Sequence, residues 1–176
     1  EKLVNEFSDF ARMPKPIFRE NNLVDIIHEN INLLKELDNS IDIIFKKDFD
    51  KIVLESDKEQ ISRVFLNLIK NSIESINQKA QNNNNFSKKI TIELTQDDIH
   101  IKSTIEDNGV GFNEIKDNIK NILNPYFTTK KNGTGLGLSI VNKIINDHNG
   151  KIEFIPIENG AKINITFLKL KWVKKS

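Results

Sequence analysis

The sequence predicts a two-layer α/β sandwich, in which a mixed β-sheet is covered on one face by helices. Segments with apolar residues at helical spacing alternate with short segments rich in Ile and Val, which is the pattern of an α/β domain. The length of 176 residues suits one domain with a small appendage. No internal repeat is visible along the chain.

Composition excludes several classes of function. Lys and Arg number 26 against 25 Asp and Glu, so the formal net charge is +1 and gives no electrostatic case for a nucleic-acid or membrane partner. The absence of cysteine excludes disulfides, thiolate nucleophiles and cysteine metal sites. No apolar run is long enough to cross a bilayer. We therefore expect neither nucleic-acid binding nor membrane contact in this stretch.

The first residues are predicted to be the end of an amphipathic helix. Apolar residues recur at helical spacing from Leu3 to Ala11, and the prolines at positions 14 and 16 stop the helix. The chain opens at Glu1 without Met and without a signal peptide, so we expect a piece of a longer protein.

A second helix is predicted to begin after Asn22, which is placed as an N-cap with Asp25 completing a variant of the capping box. Its core-facing stripe is predicted to comprise Leu23, Ile27, Ile31, Leu34 and Leu37. Residues 41–45 and 51–54 are short, rich in Ile and Val, and predicted as strands.

Asp57 is predicted to begin a long helix. The apolar face of this helix comprises Ile61, Phe65, Leu68, Ile69, Ser72 and Ile76. A polar run over residues 81–85 predicts a surface loop. Two antiparallel strands are expected over residues 89–94 and 99–105.

The last third of the chain is predicted to end in a helix and two strands. Residues 113–123 have weak helical character, and a loop is predicted over residues 124–134. A helix over residues 136–147 is closed by Asn149-Gly150 as its C-cap. Strands over residues 151–157 and 161–168 are joined by a turn at Asn159-Gly160.

The long helix carries the first candidate site. Asn67, Asn71 and Glu74 share one stripe beside its apolar face. Asparagine is a poor helix former, and its amide oxygen is a hard, neutral ligand that suits Mg²⁺. The alternative is a solvated polar edge in a chain that uses asparagine freely.

The second candidate begins at Asp107, directly after a predicted strand. Its carboxylate can accept a hydrogen bond from an exocyclic amine, and Gly109 and Gly111 let a flat ring approach the backbone. The alternative is a hairpin turn, because Asn-Gly between apolar residues is a strong turn signal.

The third candidate is the glycine-rich start of a helix over residues 133–138. Free backbone N–H groups at a helix N-terminus favour phosphate. The segment lacks the P-loop pattern and does not follow a strand. Residues 125–130 precede it, and there Tyr126 and Phe127 either anchor the loop in the core or hold a lid from which Lys130 reaches a phosphate.

Together, in this order, these segments resemble the ATP-binding domain shared by sensor histidine kinases, DNA gyrase, heat-shock chaperone ATPases and mismatch-repair ATPases. The resemblance runs from about residue 41 to residue 168. It implies the Bergerat-type fold with ATP and Mg²⁺ as cofactors. Asn71 would ligate Mg²⁺, Asp107 would bind the adenine amine, and Gly160 would be the last glycine box. The implied nucleotide-binding residues are Asn67, Lys70, Asn71, Glu74, Asp107, Gly109, Gly111, Lys130, Thr134, Gly135, Leu136, Gly137 and Leu138.

Within that superfamily the sequence is more similar to the histidine-kinase branch. The hydrolysing branches carry a Glu general base four residues before the Mg-binding Asn, whereas this chain has Asn67 there, which cannot take a proton. A histidine acceptor needs no such base, because neutral imidazole is already nucleophilic. The resemblance leaves the catalytic residue unknown.

Residues 3–14 resemble the end of the second dimerisation helix of a sensor kinase, most closely the nitrogen-regulation group (NtrY-like and NtrB-like). This implies residues 1–16 as helix end and linker, and residues 17–176 as the catalytic domain. The phosphoacceptor histidine would lie outside this chain. His28 is interpreted as a helix-surface residue, and His148 as a ring whose positive charge suits a helix C-terminus.

The resemblance also implies partners. They are the dimerisation and phosphoacceptor domain of the same kinase and a cognate response regulator, in a two-component phosphorelay with a homodimeric parent. The domain is expected in the cytoplasm, where ATP is available, and the parent could be anchored in the inner membrane. Two alternatives stay open: a protein-serine kinase of the same fold, of the anti-sigma type, and a nucleotide-sensing module without phosphotransfer.

Overall fold

The computed structural model describes residues 13–111 and 137–169, and it confirms the two-layer α/β class. Seven strands and three helices lie in the described residues. The strands are β1 (Arg19–Asn22), β2 (Asp42–Lys47), β3 (Val53–Ser56), β4 (Lys89–Gln96), β5 (His100–Asp107), β6 (Lys151–Ile157) and β7 (Gly160–Leu168). The helices are α1 (Leu23–Leu37), α2 (Lys58–Ala80) and α3 (Gly137–Asp147).

The main sheet is mixed. Its strand order is β2-β4-β5-β7-β6, with β2 and β4 parallel and the other neighbours antiparallel. In β4 every second residue is fully buried, namely Ile90, Ile92 and Leu94. Since side chains alternate between the faces of a sheet, one face packs on the helices and joins a single core with them. The other face carries polar residues such as Thr104 and Glu106.

The predicted N-cap at Asn22 and the predicted start of the long helix at Asp57 are confirmed. The Asn22 side chain accepts a hydrogen bond from the backbone N–H of Val24 at 3.1 Å. The Asp57 carboxylate accepts one from Gln60 at 3.1 Å. The predicted core face of α2 is buried throughout. In α1 the prediction was wrong for Leu37, which is 75% exposed because the helix ends at this residue.

Residues 13–22 lie against the domain and include a strand that the sequence analysis did not predict. Strand β1 pairs antiparallel with β3. Before it, the carbonyl of Pro14 accepts a hydrogen bond from Gln60 Nε2 at 2.9 Å, and the Ile17 N–H donates to Asp57 Oδ2 at 3.0 Å. The segment is therefore attached to the first turn of α2.

The C-terminal elements follow the prediction. Helix α3 is closed by the N–H of Gly150, which donates to the Ile145 carbonyl at 2.8 Å, and Asn149 takes the left-handed conformation with φ 56°. Asn159 does the same in the β6–β7 turn. The predicted helices over residues 3–11 and 113–123 and the loop over residues 124–134 lie outside the described residues. Within the described part of the chain, no helix is long and apolar enough to cross a membrane.

Candidate functional site

The candidate site is built where β5 ends beside α2. Asp107 is the last residue of β5, a central strand of the sheet, and it pairs with Ile90 of β4 and Ala161 of β7. Its side chain is buried, with the residue only 6% exposed. A carboxylate at this depth needs hydrogen-bond partners, because burial penalises its charged form.

Three donors hold the Asp107 carboxyl group. The N–H of Gly109 donates to Oδ1 at 2.9 Å, and the Ser72 hydroxyl and the Ala161 N–H donate as well. Burial is the largest influence and raises the pKa of Asp107 above its ordinary value of 3.8, while the three hydrogen bonds oppose it. A carboxylate offers about four acceptor positions. Among the residues that the structure describes, these three donors leave acceptor capacity on the carboxyl group.

The loop after Asp107 touches α2 through its backbone. A Cβ added at Gly109 would meet Ser75 Oγ and would lie 2.7 Å from the Ser75 carbonyl carbon. The Val110 N–H donates to Ser75 Oγ at 3.0 Å. Glycine at position 109 is thus required by close approach to the helix rather than by a turn.

Contacts on the other side fix the same loop. Asn108 Nδ2 donates to the Ser87 carbonyl at 2.7 Å, and the Lys89 N–H donates to Asn108 Oδ1 at 3.0 Å. Lys79 Nζ donates to the Asn108 carbonyl at 3.1 Å and lies 5.0 Å from the centre of the Phe86 ring. A hairpin turn at this loop would pair β5 with the chain that follows it directly, but both neighbours of β5 in the sheet are other strands, β4 and β7. The hairpin alternative is therefore wrong.

Two glycines bring the β6–β7 turn onto this loop. Gly111 has φ 73°, and its Cβ position is filled by the Gly160 carbonyl oxygen. A Cβ at Gly160 would meet the carbonyl oxygen of Asp107 and lie 3.2 Å from the Cα of Asn108. Side chains are excluded at both positions, so backbone surrounds the exit of β5 closely.

The predicted polar stripe lies on α2, the helix that contacts the loop after Asp107. Asn67 and Asn71 are half-buried, whereas Lys70 and Glu74 are exposed. Within the described residues no group of three or more acidic or histidine side chains could hold a metal by itself. The amide oxygen of Asn71 suits Mg²⁺ that keeps water and phosphate oxygens as its other ligands.

The glycine-rich helix start is described only from Gly137 onward. Gly137 is the first residue of α3, and a Cβ there would meet nothing within 4 Å. Leu138 is half-buried and packs against the core. Helix α3 packs against α2, which brings this helix start to the same layer as the asparagines. The other predicted residues of the segment, Lys130, Thr134, Gly135 and Leu136, lie outside the described residues.

His148 does not have the predicted charge. It is 4% exposed, its Nδ1 lies 2.8 Å from the Ile144 carbonyl, and its Nε2 accepts the Asp57 N–H at 3.0 Å. Burial lowers the pKa of His148 below 6.5. A neutral ring with the proton on Nδ1 satisfies both bonds, so the interpretation of a positive ring is wrong. Phe18 packs edge-on against it at 5.1 Å.

Sequence analysis missed the roles of two serines. Ser72 was assigned to the apolar face of α2 and is buried as expected, but its hydroxyl bonds Asp107. Ser75 lies one turn further along and accepts the Val110 N–H. The available signal was the spacing of three residues, which places both hydroxyls on one side of the helix.

Comparisons with known proteins show which family the chain belongs to. Residues 56–171 match the family described as histidine kinase-, DNA gyrase B-, and HSP90-like ATPase. The chain is 32% identical to the nitrogen regulation protein NtrY of Azorhizobium caulinodans, with 94% of the chain and 21% of the relative covered. It is 31% identical to sporulation kinase E of Bacillus subtilis, with 86% and 20% covered. The chain thus spans about a fifth of the length of these curated relatives.

Solved structures give the same result. The nucleotide-free catalytic domain of histidine kinase ThkA superposes with a TM-score of 0.74 and 32% identity, covering 87% of this chain and 96% of that one. A complex of ThkA with the response regulator protein TrrA superposes with a TM-score of 0.78 and 28% identity, covering 99% of this chain and 48% of that one.

Proposed function

The chain belongs to the histidine kinase-, DNA gyrase B-, and HSP90-like ATPase family, and we propose that it binds Mg·ATP as the catalytic domain of a sensor histidine kinase. The observation that carries the proposal is Asp107, a buried carboxylate at the end of a central strand that has fewer donors among the described residues than it can accept. A buried acceptor of this kind is suited to a flat base with an exocyclic amine.

The loop beside Asp107 forms the base-binding wall. Gly109 and Gly111 carry no side chain, which lets this loop pack closely against α2 and the β6–β7 turn. The contacts of Asn108 and Val110 hold this wall before the ligand arrives. A site that is already ordered loses little entropy when it binds.

The phosphate end involves α2 and α3. Asn71 is the proposed Mg²⁺ ligand, with Asn67, Lys70 and Glu74 along the same stripe. The start of α3 at Gly137 and Leu138 offers backbone N–H groups to the phosphates, together with Thr134, Gly135 and Leu136. Lys130, which precedes this helix in the sequence, would supply a cation. When bound, Mg²⁺ neutralises phosphate charge during transfer.

The reaction that follows is transfer of the γ-phosphoryl group to a histidine of the dimerisation and phosphoacceptor domain. Asn67 stands where hydrolysing relatives need a titratable base, which favours transfer over hydrolysis. The proposed domain division is residues 1–16 as helix end and linker and residues 17–176 as catalytic domain. The parent is proposed to be a homodimer that passes its phosphoryl group to a response regulator in the cytoplasm.

Thermal unfolding with ATP or ADP, with and without Mg²⁺, tests the nucleotide site. A ligand at about 100 times its Kd adds about 2.7 kcal/mol of stability, a shift of several degrees. We expect the shift to require Mg²⁺ for ATP, and Asn71→Ala to remove the Mg²⁺-dependent part. Asn32→Ala is the matched control, because Asn32 is exposed on α1, away from the proposed site.

A nucleotide shift in neither condition would contradict the proposal. A shift that is equal with and without Mg²⁺, and equal in Asn71→Ala, would keep the nucleotide site and reject Asn71 as the metal ligand. Phosphotransfer is then measured on a longer chain that includes the dimerisation domain, with labelled phosphate followed to histidine.

A further inference from the structure

The peptide unit that joins Asn108 to Gly109 is held at both of its polar ends. Its carbonyl oxygen accepts a hydrogen bond from Lys79 Nζ at 3.1 Å. Its N–H, which belongs to Gly109, donates to Asp107 Oδ1 at 2.9 Å. The C=O and the N–H of a trans peptide point in opposite directions. The ammonium group and the carboxyl group therefore act together on one orientation of the same peptide.

The residue types in this loop do not fix that orientation by themselves. A peptide followed by glycine can rotate by about half a turn, because glycine accepts negative and positive φ about equally, as in the change from a type I to a type II turn. Among the glycines that the structure describes, Gly111 has a positive φ and Gly109 does not. Rotation would turn the carbonyl of Asn108 away from Lys79 and the N–H of Gly109 away from Asp107.

Lys79 is well placed to fix the peptide. It lies in the last turn of α2 and is half-buried. Its Nζ also lies 5.0 Å from the centre of the Phe86 ring, which is a cation–π contact. A lysine side chain loses rotational freedom when its head group is fixed, and the ring keeps the ammonium group where the hydrogen bond needs it. A hydrogen bond from a charged donor is stronger than one between neutral groups.

The other contacts of the loop hold its neighbouring groups and not this peptide. The Asn108 N–H donates to the Lys89 carbonyl at 3.3 Å, and the Asn108 side chain is bonded to backbone just before β4 and at its start. The Val110 N–H donates to Ser75 Oγ at 3.0 Å. Rotation of the peptide between residues 108 and 109 leaves all these groups in place, since each belongs to another rigid unit.

We propose that Lys79 is a positioning residue for nucleotide binding: from the side away from Asp107, its ammonium group holds the peptide between Asn108 and Gly109 in the orientation that the site needs. The inference rests on the proposed function, in which the loop after Asp107 is a wall of the site. A loop with two peptide orientations binds through one of them, so the apparent affinity falls with the population of that orientation. Lys79 raises this population before the ligand arrives.

The experiment compares wild type with Lys79→Met and Lys79→Arg, and uses Lys58→Met as the matched control. Methionine keeps an unbranched apolar stem without the ammonium group, whereas arginine keeps a cationic donor. Lys58 is exposed in the first turn of the same helix, about 30 Å away along its axis, so its substitution removes the same charge far from the loop. Affinity for ADP without Mg²⁺ is measured by calorimetry at about 0.15 M salt, where charges more than about 8 Å apart are largely screened.

Hydrogen exchange of single amides in the nucleotide-free protein, followed by NMR, separates positioning from stability. The Gly109 N–H belongs to the peptide that rotates, whereas the Val110 N–H stays bonded to Ser75 and is an internal control. We expect Lys79→Met to speed exchange at Gly109 about tenfold, since a hydrogen bond from a charged donor is worth about this factor. Exchange at Val110 should change less than about twofold, because only a general loss of stability would accelerate both amides alike.

We expect ADP to bind Lys79→Met about fivefold more weakly than wild type, and Lys79→Arg and Lys58→Met to bind within about twofold of wild type. Equal ADP affinity in wild type and Lys79→Met overturns this inference alone. So does an Lys79→Arg that binds no better than Lys79→Met, or an equal acceleration of exchange at Gly109 and Val110. A wild type that binds neither ADP nor ATP overturns the proposed function and the role of Lys79 with it.

Discussion

The two ends of α2 each hold a buried titratable side chain, and they do so differently. At the N-terminal end, Asp57 contacts His148. In the C-terminal half, Ser72 contacts Asp107. Burial lowers the pKa of His148 and raises that of Asp107, so at both ends it favours the neutral form.

The two groups differ in how much of their hydrogen-bonding capacity is used within the protein. Both ring nitrogens of His148 have partners within the protein, and the neutral ring is complete. Within the described part of the chain Asp107 has three donors for about four acceptor positions, and the net effect of its surroundings is to raise its pKa. A buried titratable group whose hydrogen-bonding atoms all have partners serves to stabilise the fold. A buried group at the end of a strand that can still accept a hydrogen bond is what a binding site requires.

The largest expected effect comes from breaking the packing around Asp107. Gly160→Ala places a Cβ against the backbone of residues 107 and 108, which cannot move aside as a side chain would. We expect the free energy of unfolding to fall by about 3 kcal/mol, measured by urea denaturation. Gly137→Ala is the matched control, because its Cβ meets nothing within 4 Å. Equal stability of the two variants would show that the close approach is not needed.

Removing the His148 ring is expected to have a smaller effect on stability. His148→Ala leaves the Asp57 N–H without its acceptor and opens a small cavity beside Phe18. The expected loss is about 2 kcal/mol in the free energy of unfolding, with ADP affinity of the folded protein unchanged. His100→Ala, at an exposed ring, should change stability by less than about 0.5 kcal/mol. An affinity loss in His148→Ala would instead assign the ring to the site.

The smallest effect is a pH dependence of opposite sign at the two ends. The lowered pKa of His148 makes the unfolded chain bind more protons below pH 6.5, so its contribution is lost as the pH falls. The raised pKa of Asp107 makes the folded protein bind more protons above pH 3.8, so folding gains as the pH falls.

Urea denaturation at several pH values separates the two contributions. The stability of wild type minus that of His148→Ala should decrease as the pH is lowered through the acidic range. The stability of wild type minus that of Asp107→Asn should increase over the same range. Slopes of the same sign would mean that one of the two groups is not buried in solution as it is in the structure.

Much of the fold follows from local signals. The N-cap at Asn22, the start of α2 at Asp57 and the alternation in β4 were predicted because each depends on residues close together in sequence. Strand β1 was missed because Arg19–Asn22 is polar and becomes a strand only through pairing with β3, more than thirty residues later. Leu37 was wrongly predicted to be buried because the spacing of apolar residues does not show at which residue the helix ends.

The kinds of residue in the candidate site could be predicted from the sequence, but the contacts between them could not. Asp107 and its glycines follow from their motif, and so does the stripe of asparagines on α2. The bond from Ser72 and the close approach of Gly109 to Ser75 join segments about 35 residues apart, which spacing alone cannot reveal. His148 was misjudged for the same reason, since its acceptor role depends on the distant N–H of Asp57.

The attachment of residues 13–22 has a mechanical consequence. Pro14 and Ile17 are hydrogen-bonded to the first turn of α2, and β1 is paired with β3, so residues 13–22 are firmly connected to that helix. A rotation of this segment must rotate the helix with it or break these hydrogen bonds. The helix is continuous from Lys58 to Ala80, so the torque reaches Asn71 about four turns away without crossing a loop.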